Sequence, residues 1–119
     1  MSPDTFTDFS IHVAPTDDGG TDVAIFGELD VATGDQAREA IAPVLDQPKG
    51  HVVIDLRACP FIDSTGVGVL VQAALRLRDR QRTLRLRGVG NRVRRTLDLA
   101  GLTSSELIEI EPERGKPQQ

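Results

Sequence analysis

Residues 51–70 read HVVIDLRACPFIDSTGVGVL, and this stretch decides the fold class of the chain. Its first part, 51–56, is a short and nearly continuous apolar run rich in β-branched residues, which is typical of a central strand covered on both faces. Turn-forming residues interrupt the run over 58–63. Apolar residues then recur at helical spacing, at Val67, Leu70, Val71, Ala74 and Leu77. The stretch therefore predicts a buried strand, a loop and a long amphipathic helix.

Two segments upstream of this stretch alternate apolar and polar residues, as strands with one buried face do. They cover residues 9–13 and 21–29, and residues 15–20 between them (PTDDGG) are dense in turn formers. We therefore expect an antiparallel hairpin on the N-terminal side of the central strand.

A helix is expected after the hairpin. Apolar residues recur there at intervals of three and four: Ala37, Ala40, Ile41, Val44 and Leu45. Thr33, with Gln36 three residues later, predicts a capping box at the start of this helix. Pro43 predicts a kink or an early end, because its ring removes a hydrogen bond and crowds the preceding turn.

The last third of the chain repeats the alternation of strand and helix. Residues 83–87 (TLRLR) alternate as a strand, a helix ends before Gly101, and residues 107–110 can form a last strand. The buried face of that helix is expected to hold Val93, Leu97 and Ala100. The order ββαβαβαβ predicts one α/β domain with a mixed, mostly parallel sheet, an N-terminal β-hairpin and crossover helices. The LRLR strand is either partly exposed or covered by a partner.

Composition restricts the class of protein. With 119 residues the chain can close one hydrophobic core but not two. Its single cysteine, Cys59, excludes an intramolecular disulfide, a four-thiolate zinc site and a CxxC redox pair. The net charge of -4 argues against a general affinity for nucleic acid or anionic membranes. The charge is uneven, because residues 76–95, the arginine block, hold nine arginines and one acid, whereas residues 1–75 hold twelve acids and three bases.

The sequence shows neither a signal peptide nor a run of roughly 18 apolar residues that could span a membrane. A soluble, cytoplasmic protein is therefore expected. We divide the chain into an N-terminal extension over 1–8, one domain over 9–110 and a flexible C-terminal tail over 111–119, whose composition is typical of a frayed end.

Two loops are candidates for a binding site, because sites in open α/β sheets lie where strands end and helices begin. They are residues 27–30 (GELD) and residues 61–66 (FIDSTG). Asp63 and Ser64 are also preferred helix N-cap residues, so a purely structural role is an alternative for both. Gly66 and Gly68 each cost about 1 kcal/mol in a helix relative to alanine, which indicates close approach of a neighbouring strand or of a partner.

Four segments together resemble the anti-sigma factor antagonists of the STAS family. They are residues 27–30 (GELD), 53–56 (VIDL), 61–70 (FIDSTGVGVL) and 93–102 (VRRTLDLAGL). The likeness runs from about residue 9 to about residue 110, and the DSTGxG segment in its strand-loop-helix context is specific. The resemblance implies a single STAS-like domain that regulates transcription by partner switching, without enzymatic activity and without a cofactor or metal.

The resemblance also implies roles for individual residues. Ser64 matches the serine that the partner anti-sigma factor, a GHKL-type serine kinase, phosphorylates, and a PP2C-type phosphatase reverses this modification. Asp30 matches an acidic residue near the partner surface. The remaining partner-binding residues are expected to be Glu28, Asp63, Thr65 and Gly66. A phosphate on Ser64 is expected to lie against free amides at the positive end of the helix dipole.

Other functions have less support in the sequence. His12 and His51 lack acid–base partners and ligand spacing, and Asp55 is expected to be a hydrogen-bonded structural carboxylate. No P-loop, dinucleotide motif or nucleophile elbow is present. The arginine block divides over three elements, so we expect it to be solvated surface that pairs with the acidic half and not a nucleic-acid site. A scaffold or regulatory module of a larger signalling or transport assembly, lacking a phospho-switch, is the alternative within the family, and weak homodimerisation stays open.

Overall fold

A computed structural model describes residues 9–112, and the predicted extension over 1–8 and residues 113–119 of the predicted tail lie outside this range. The strands are β1 (Ser10–Pro15), β2 (Thr21–Phe26), β3 (Val52–Asp55), β4 (Leu84–Arg87) and β5 (Ile108–Ile110). The helices are α1 (Gly34–Leu45), α2 (Ser64–Arg78) and α3 (Asn91–Leu99). The predicted order ββαβαβαβ is confirmed.

The five strands form one mixed sheet in the order β1-β2-β3-β4-β5. β1 pairs with β2 in the predicted antiparallel hairpin, and the other neighbours pair in parallel. β3 is the central strand, and all four of its residues are buried, as the apolar run predicts. Because right-handed crossovers between consecutive neighbours put every connection on the same side, the three helices cover one face of the sheet.

The core lies between that face and the helices. The sheet contributes Val23, Ile25, Val52, Ile54, Leu84, Leu86 and Ile108. In α2 the buried face is rotated relative to the prediction, because Val67 and Val71 are only half-buried while Val69 and Ala73 are buried. In α3 the expected burial of Ala100 is wrong, since this residue caps the helix and is exposed. α1 continues two residues past Pro43 and ends at Leu45.

The opposite face of the sheet carries charged side chains that neutralise one another. Arg87 lies 3.3 Å from Asp22 and 3.2 Å from Glu111, and Arg85 lies 2.9 Å from Glu109. The two leucines of the same strand point to the core and are fully buried. The LRLR strand is therefore partly exposed, with its arginines paired inside the chain.

The rest of the arginine block is divided over separate elements, as predicted. Arg76 of α2 pairs with Asp46. Arg82, after α2, donates to the carbonyls of Gln47 at 2.6 Å and Gly50 at 2.8 Å. These contacts connect the basic segment to the acidic half of the chain.

Candidate functional site

The loops that follow β2 and β3 lie side by side and are joined by backbone hydrogen bonds. The amide of Gly27 donates to the carbonyl of Ala58 at 2.9 Å, and the amide of Leu29 donates to the carbonyl of Phe61 at 3.1 Å. Leu29 also pairs with Ile62 in a parallel bridge. The pairing of β2 with β3 thus continues past the strand ends and makes the two predicted site loops one surface. We call residues 27–33 and 57–63 the paired loops.

Asp63 fastens the start of α2 to this surface. Its Oδ1 accepts hydrogen bonds from the amides of Thr65 at 2.8 Å and Gly66 at 3.1 Å, which is an N-cap. Its Oδ2 accepts from the amide of Val31 at 3.2 Å, and its own amide donates to the carbonyl of Leu29 at 3.3 Å. The structural role considered for Asp63 is therefore confirmed, and the same carboxylate also ties the two loops together.

Thr33 and Asp30 fold the loop between β2 and α1 onto itself. The Thr33 hydroxyl donates to the carbonyl of Glu28 at 2.8 Å and accepts from the amide of Asp30 at 3.0 Å. The Asp30 carboxylate accepts from the amide of Ala32 at 3.0 Å. Because its hydroxyl is used within the loop, Thr33 makes no side-chain cap on α1, and the predicted capping box with Gln36 is wrong.

Gly66 allows α2 to pack directly against the paired loops. A β-carbon at this position would lie 2.5 Å from the Leu29 carbonyl oxygen and 2.6 Å from Cγ1 of Ile62. The predicted close approach is therefore confirmed at Gly66. Gly66 is buried, so its role is to let α2 pack closely under the paired loops, and it presents no side chain to a partner. At Gly68 a β-carbon would meet no described atom within 4 Å, so no segment of the described range approaches closely there.

Ser64 is the first residue of α2 and is exposed. Thr65 beside it is half-buried, and a β-carbon placed on Gly34, at the start of α1, would lie 2.8 Å from its methyl group. The expectation that a phosphate on Ser64 finds free amides is wrong for the next two residues, because the Thr65 and Gly66 amides already donate to Asp63. These two amides are therefore not free to bind a phosphate.

The exposed part of the site is acidic and carries an apolar tip. Glu28 is exposed and Asp30 is half-buried, and Asp35 lies in the first turn of α1. Val31 at the tip of the loop is 77% exposed. Val31 is not among the residues predicted from the sequence, although an apolar residue directly after Asp30, in a segment that is neither strand nor helix, was a usable signal. Exposed apolar side chains within a polar rim are typical of protein-binding surfaces.

Asp55, at the end of β3, is the structural carboxylate that the sequence predicts. Its Oδ1 accepts from the Arg57 amide at 3.0 Å, and its Oδ2 accepts from Nη2 of Arg57 at 2.7 Å. Burial by itself would raise the pKa of Asp55, but the hydrogen bonds and charge of Arg57 outweigh it and hold this pKa below its usual range. The pair therefore anchors the loop after β3.

The remaining titratable candidates lie elsewhere. His12 lies in β1 and packs edge-to-face on Phe26 of β2. His51 lies 3.5 Å from Asp18 in the β1–β2 turn, so the expected lack of an acidic partner is wrong for this histidine. Within residues 9–112 no three histidine, cysteine or acidic side chains cluster in a way that could hold a metal ion. Over the same range no helix combines the length and apolar character that a membrane span requires.

The sequence is similar to one protein family and to curated bacterial proteins. The sequence profile described as STAS domain matches residues 12–115. The Listeria monocytogenes anti-sigma-B factor antagonist is 37% identical over 108 residues, which cover 90% of this chain and 92% of the relative.

Solved structures agree with the sequence match. An anti-sigma factor antagonist from Mycobacterium paratuberculosis superposes with a TM-score of 0.75 and 27% identity, over 90% of this chain and 88% of the other. The Bacillus cell fate determinant SpoIIAA in its phosphorylated form superposes with a TM-score of 0.65 and 21% identity, over 87% and 93% of the two chains.

Proposed function

The chain belongs to the STAS domain family, and on this premise we propose that it is an anti-sigma factor antagonist switched by phosphorylation of Ser64. The unmodified form binds an anti-sigma factor through the paired loops and the first turn of α2, and thereby frees the sigma factor. One observation carries the proposal: Ser64 is exposed at the start of α2, directly after the carboxylate that joins the two loops.

The relatives support both parts of the proposal. The Listeria relative is an anti-sigma-B factor antagonist by name and matches over nearly its whole length. The Bacillus structure of the same fold is described in a phosphorylated form. A chain that shares this fold and presents a serine at the start of α2 is suited to the same kind of control.

Electrostatics explain how a phosphate on Ser64 ends binding without unfolding the domain. Phosphorylation adds a charge of about -1.5 to -2. This charge would stand beside Asp63 on a surface that already carries Glu28 and Asp30. A close encounter of like charges near a surface costs about 1 to 4 kcal/mol, and about 1.4 kcal/mol corresponds to a tenfold change in affinity. A steric clash of the phosphate group within the docking surface, or one or two such encounters, is sufficient for the switch.

The phosphoryl donor in this proposal is ATP bound to the anti-sigma factor, a serine kinase of the GHKL type. The Ser64 hydroxyl oxygen attacks the γ-phosphorus, ADP leaves, and the hydroxyl proton passes to a base of the kinase. A PP2C-type phosphatase restores the hydroxyl by hydrolysis. The chain itself supplies the acceptor and the docking surface, and it catalyses neither step.

The proposal is tested with the purified chain and the GHKL-type anti-sigma factors of its source organism, together with the Listeria anti-sigma-B factor. Each kinase is incubated with Mg-ATP, and the modified residue is mapped by mass spectrometry. We expect phosphate on Ser64, none on Ser64→Ala, and at least tenfold weaker binding of Ser64→Asp than of the wild type. Ser104→Asp, a matched change at another exposed serine, is expected to bind normally.

Two results would contradict the proposal. Phosphate on a residue other than Ser64, or equal binding of Ser64→Asp and the wild type, would remove the switch and favour a scaffold role in a larger assembly. Absence of binding to every anti-sigma factor tested would remove the antagonist function itself.

A further inference from the structure

One arginine of the arginine block lies beside the paired loops. The guanidinium carbon of Arg92, in the first turn of α3, is 5.1 Å from the centroid of the Phe61 ring. At this distance the cation is attracted to the aromatic ring. Arg92 is itself exposed, so its side chain remains accessible to another protein.

Hydrogen bonds within the paired loops fix the position of Phe61. Its carbonyl accepts hydrogen bonds from the Leu29 amide at 3.1 Å and from the thiol of buried Cys59 at 3.4 Å. The next residue, Ile62, forms the bridge to Leu29. Phe61 precedes Ser64 by three residues and is half-buried. The ring therefore places the Arg92 cation at a defined point on the rim of the surface that carries Ser64.

Arg92 differs from Arg85 and Arg87 of β4 in the groups that contact its guanidinium group. Arg85 and Arg87 are each paired with carboxylates of neighbouring strands. Over the described range, 9–112, Arg92 forms no ion pair, and the Phe61 ring is the contact found for its guanidinium group. Its charge is thus available for a group that the chain does not supply within that range.

An arginine held on an aromatic ring is well suited to bind a carboxylate of another protein. The guanidinium group offers a planar pair of donors that matches a carboxylate, and stacking restricts the side chain before binding. Less conformational entropy is then lost when the complex forms. Arginine is also among the residue types that dominate the energetics of protein interfaces.

We infer that the anti-sigma factor surface extends from the paired loops across Phe61 to Arg92, and that Arg92 receives an acidic side chain of the anti-sigma factor. This inference rests on the proposed function. The surface then has an acidic part around Glu28 and Asp30 and a basic part at Arg92. Charges of opposite sign at two ends of an interface fix the orientation of docking and suppress partners with the reverse arrangement.

The test compares Arg92→Ala, Arg92→Gln and Arg92→Glu with Arg94→Ala, a control at another exposed arginine of α3. Affinity for the anti-sigma factor that binds the wild type is measured by calorimetry at two salt concentrations. We expect Arg92→Ala and Arg92→Gln to weaken binding about tenfold and Arg92→Glu to weaken it further, whereas Arg94→Ala stays within about twofold. Replacing the responsible acid of the anti-sigma factor by arginine should restore affinity for Arg92→Glu.

The outcomes separate the two proposals. If the wild type binds no anti-sigma factor, the proposed function fails. If the wild type binds and responds to Ser64 modification, but all three Arg92 variants bind as well as Arg94→Ala, only the extension to Arg92 is overturned. Loss of affinity that no acidic position of the anti-sigma factor can rescue would also overturn it. Urea midpoints of the variants show whether each is folded, and Arg92→Gln remains a test if the charge reversal destabilises the domain.

Discussion

The glycines at 66 and 68 provide a matched pair, because alanine should have opposite effects at the two positions of one helix. At position 66 the new β-carbon would lie 2.5 Å from the Leu29 carbonyl oxygen, about 0.9 Å short of the 3.4 Å where ordinary contact begins. The obstacle is the backbone of Leu29, whose carbonyl accepts from the Asp63 amide and whose amide donates to the Phe61 carbonyl. These hydrogen bonds keep the carbonyl from rotating away. At position 68 the β-carbon would meet no atom of residues 9–112 within 4 Å outside its own stretch of helix.

These distances set the expected magnitudes. Forcing an extra carbon into a packed site costs about 1 to 3 kcal/mol, and the upper part of this range applies where the neighbour is backbone. Alanine recovers about 1 kcal/mol of helix propensity relative to glycine. Gly66→Ala should therefore lower the free energy of unfolding by about 2 kcal/mol, while Gly68→Ala should raise it by about 0.5 to 1 kcal/mol.

Urea denaturation at neutral pH measures both values, and the linear extrapolation gives the free energies. We also expect Gly66→Ala to weaken binding of the anti-sigma factor, because Leu29 and the loop that carries Asp30 must move to admit the methyl group. If Gly66→Ala is as stable as Gly68→Ala, α2 does not pack against the paired loops as described, and this account of the site is wrong.

Two further predictions concern the carboxylates around the site. Asp63→Ala should lower the free energy of unfolding, measured by urea denaturation, by about 1 kcal/mol, because the N-cap is lost. Asp63→Asn keeps a hydrogen-bond acceptor and should lower this free energy by less. Equal losses of stability in the two variants would contradict the capping role. Asp55→Asn should destabilise the domain by about 2 kcal/mol at neutral pH, because the charged hydrogen bonds with Arg57 are weakened. Folding lowers the pKa of Asp55, so its stabilisation is present above the ordinary carboxyl pKa and is lost as the pH falls through the lowered pKa of the folded state. The free energies of unfolding of the wild type and Asp55→Asn should therefore converge in acid, and a difference that stays constant would refute the prediction.

Local sequence patterns determined the type and order of the strands and helices. The apolar run over 51–56 predicted the buried central strand, and the change from alternating to helical spacing predicted every strand and helix in order. This was possible because each element buries one face or both, and burial leaves a periodic trace in the sequence. The motif around Ser64 likewise pointed to the start of α2, because strand, loop and helix follow one another within a few residues.

Contacts between distant segments were decided only in the tertiary structure. The sequence could not show that residues 27–29 pair with the loop after β3, or that Asp63 already occupies the amides that a phosphate was expected to use. It also gave Gly66 and Gly68 the same role and left the partners of Arg87 and Arg92 open. These features depend on strand register and on the spacing between layers, which are set by the packing of the whole chain and leave no periodic trace in any one segment.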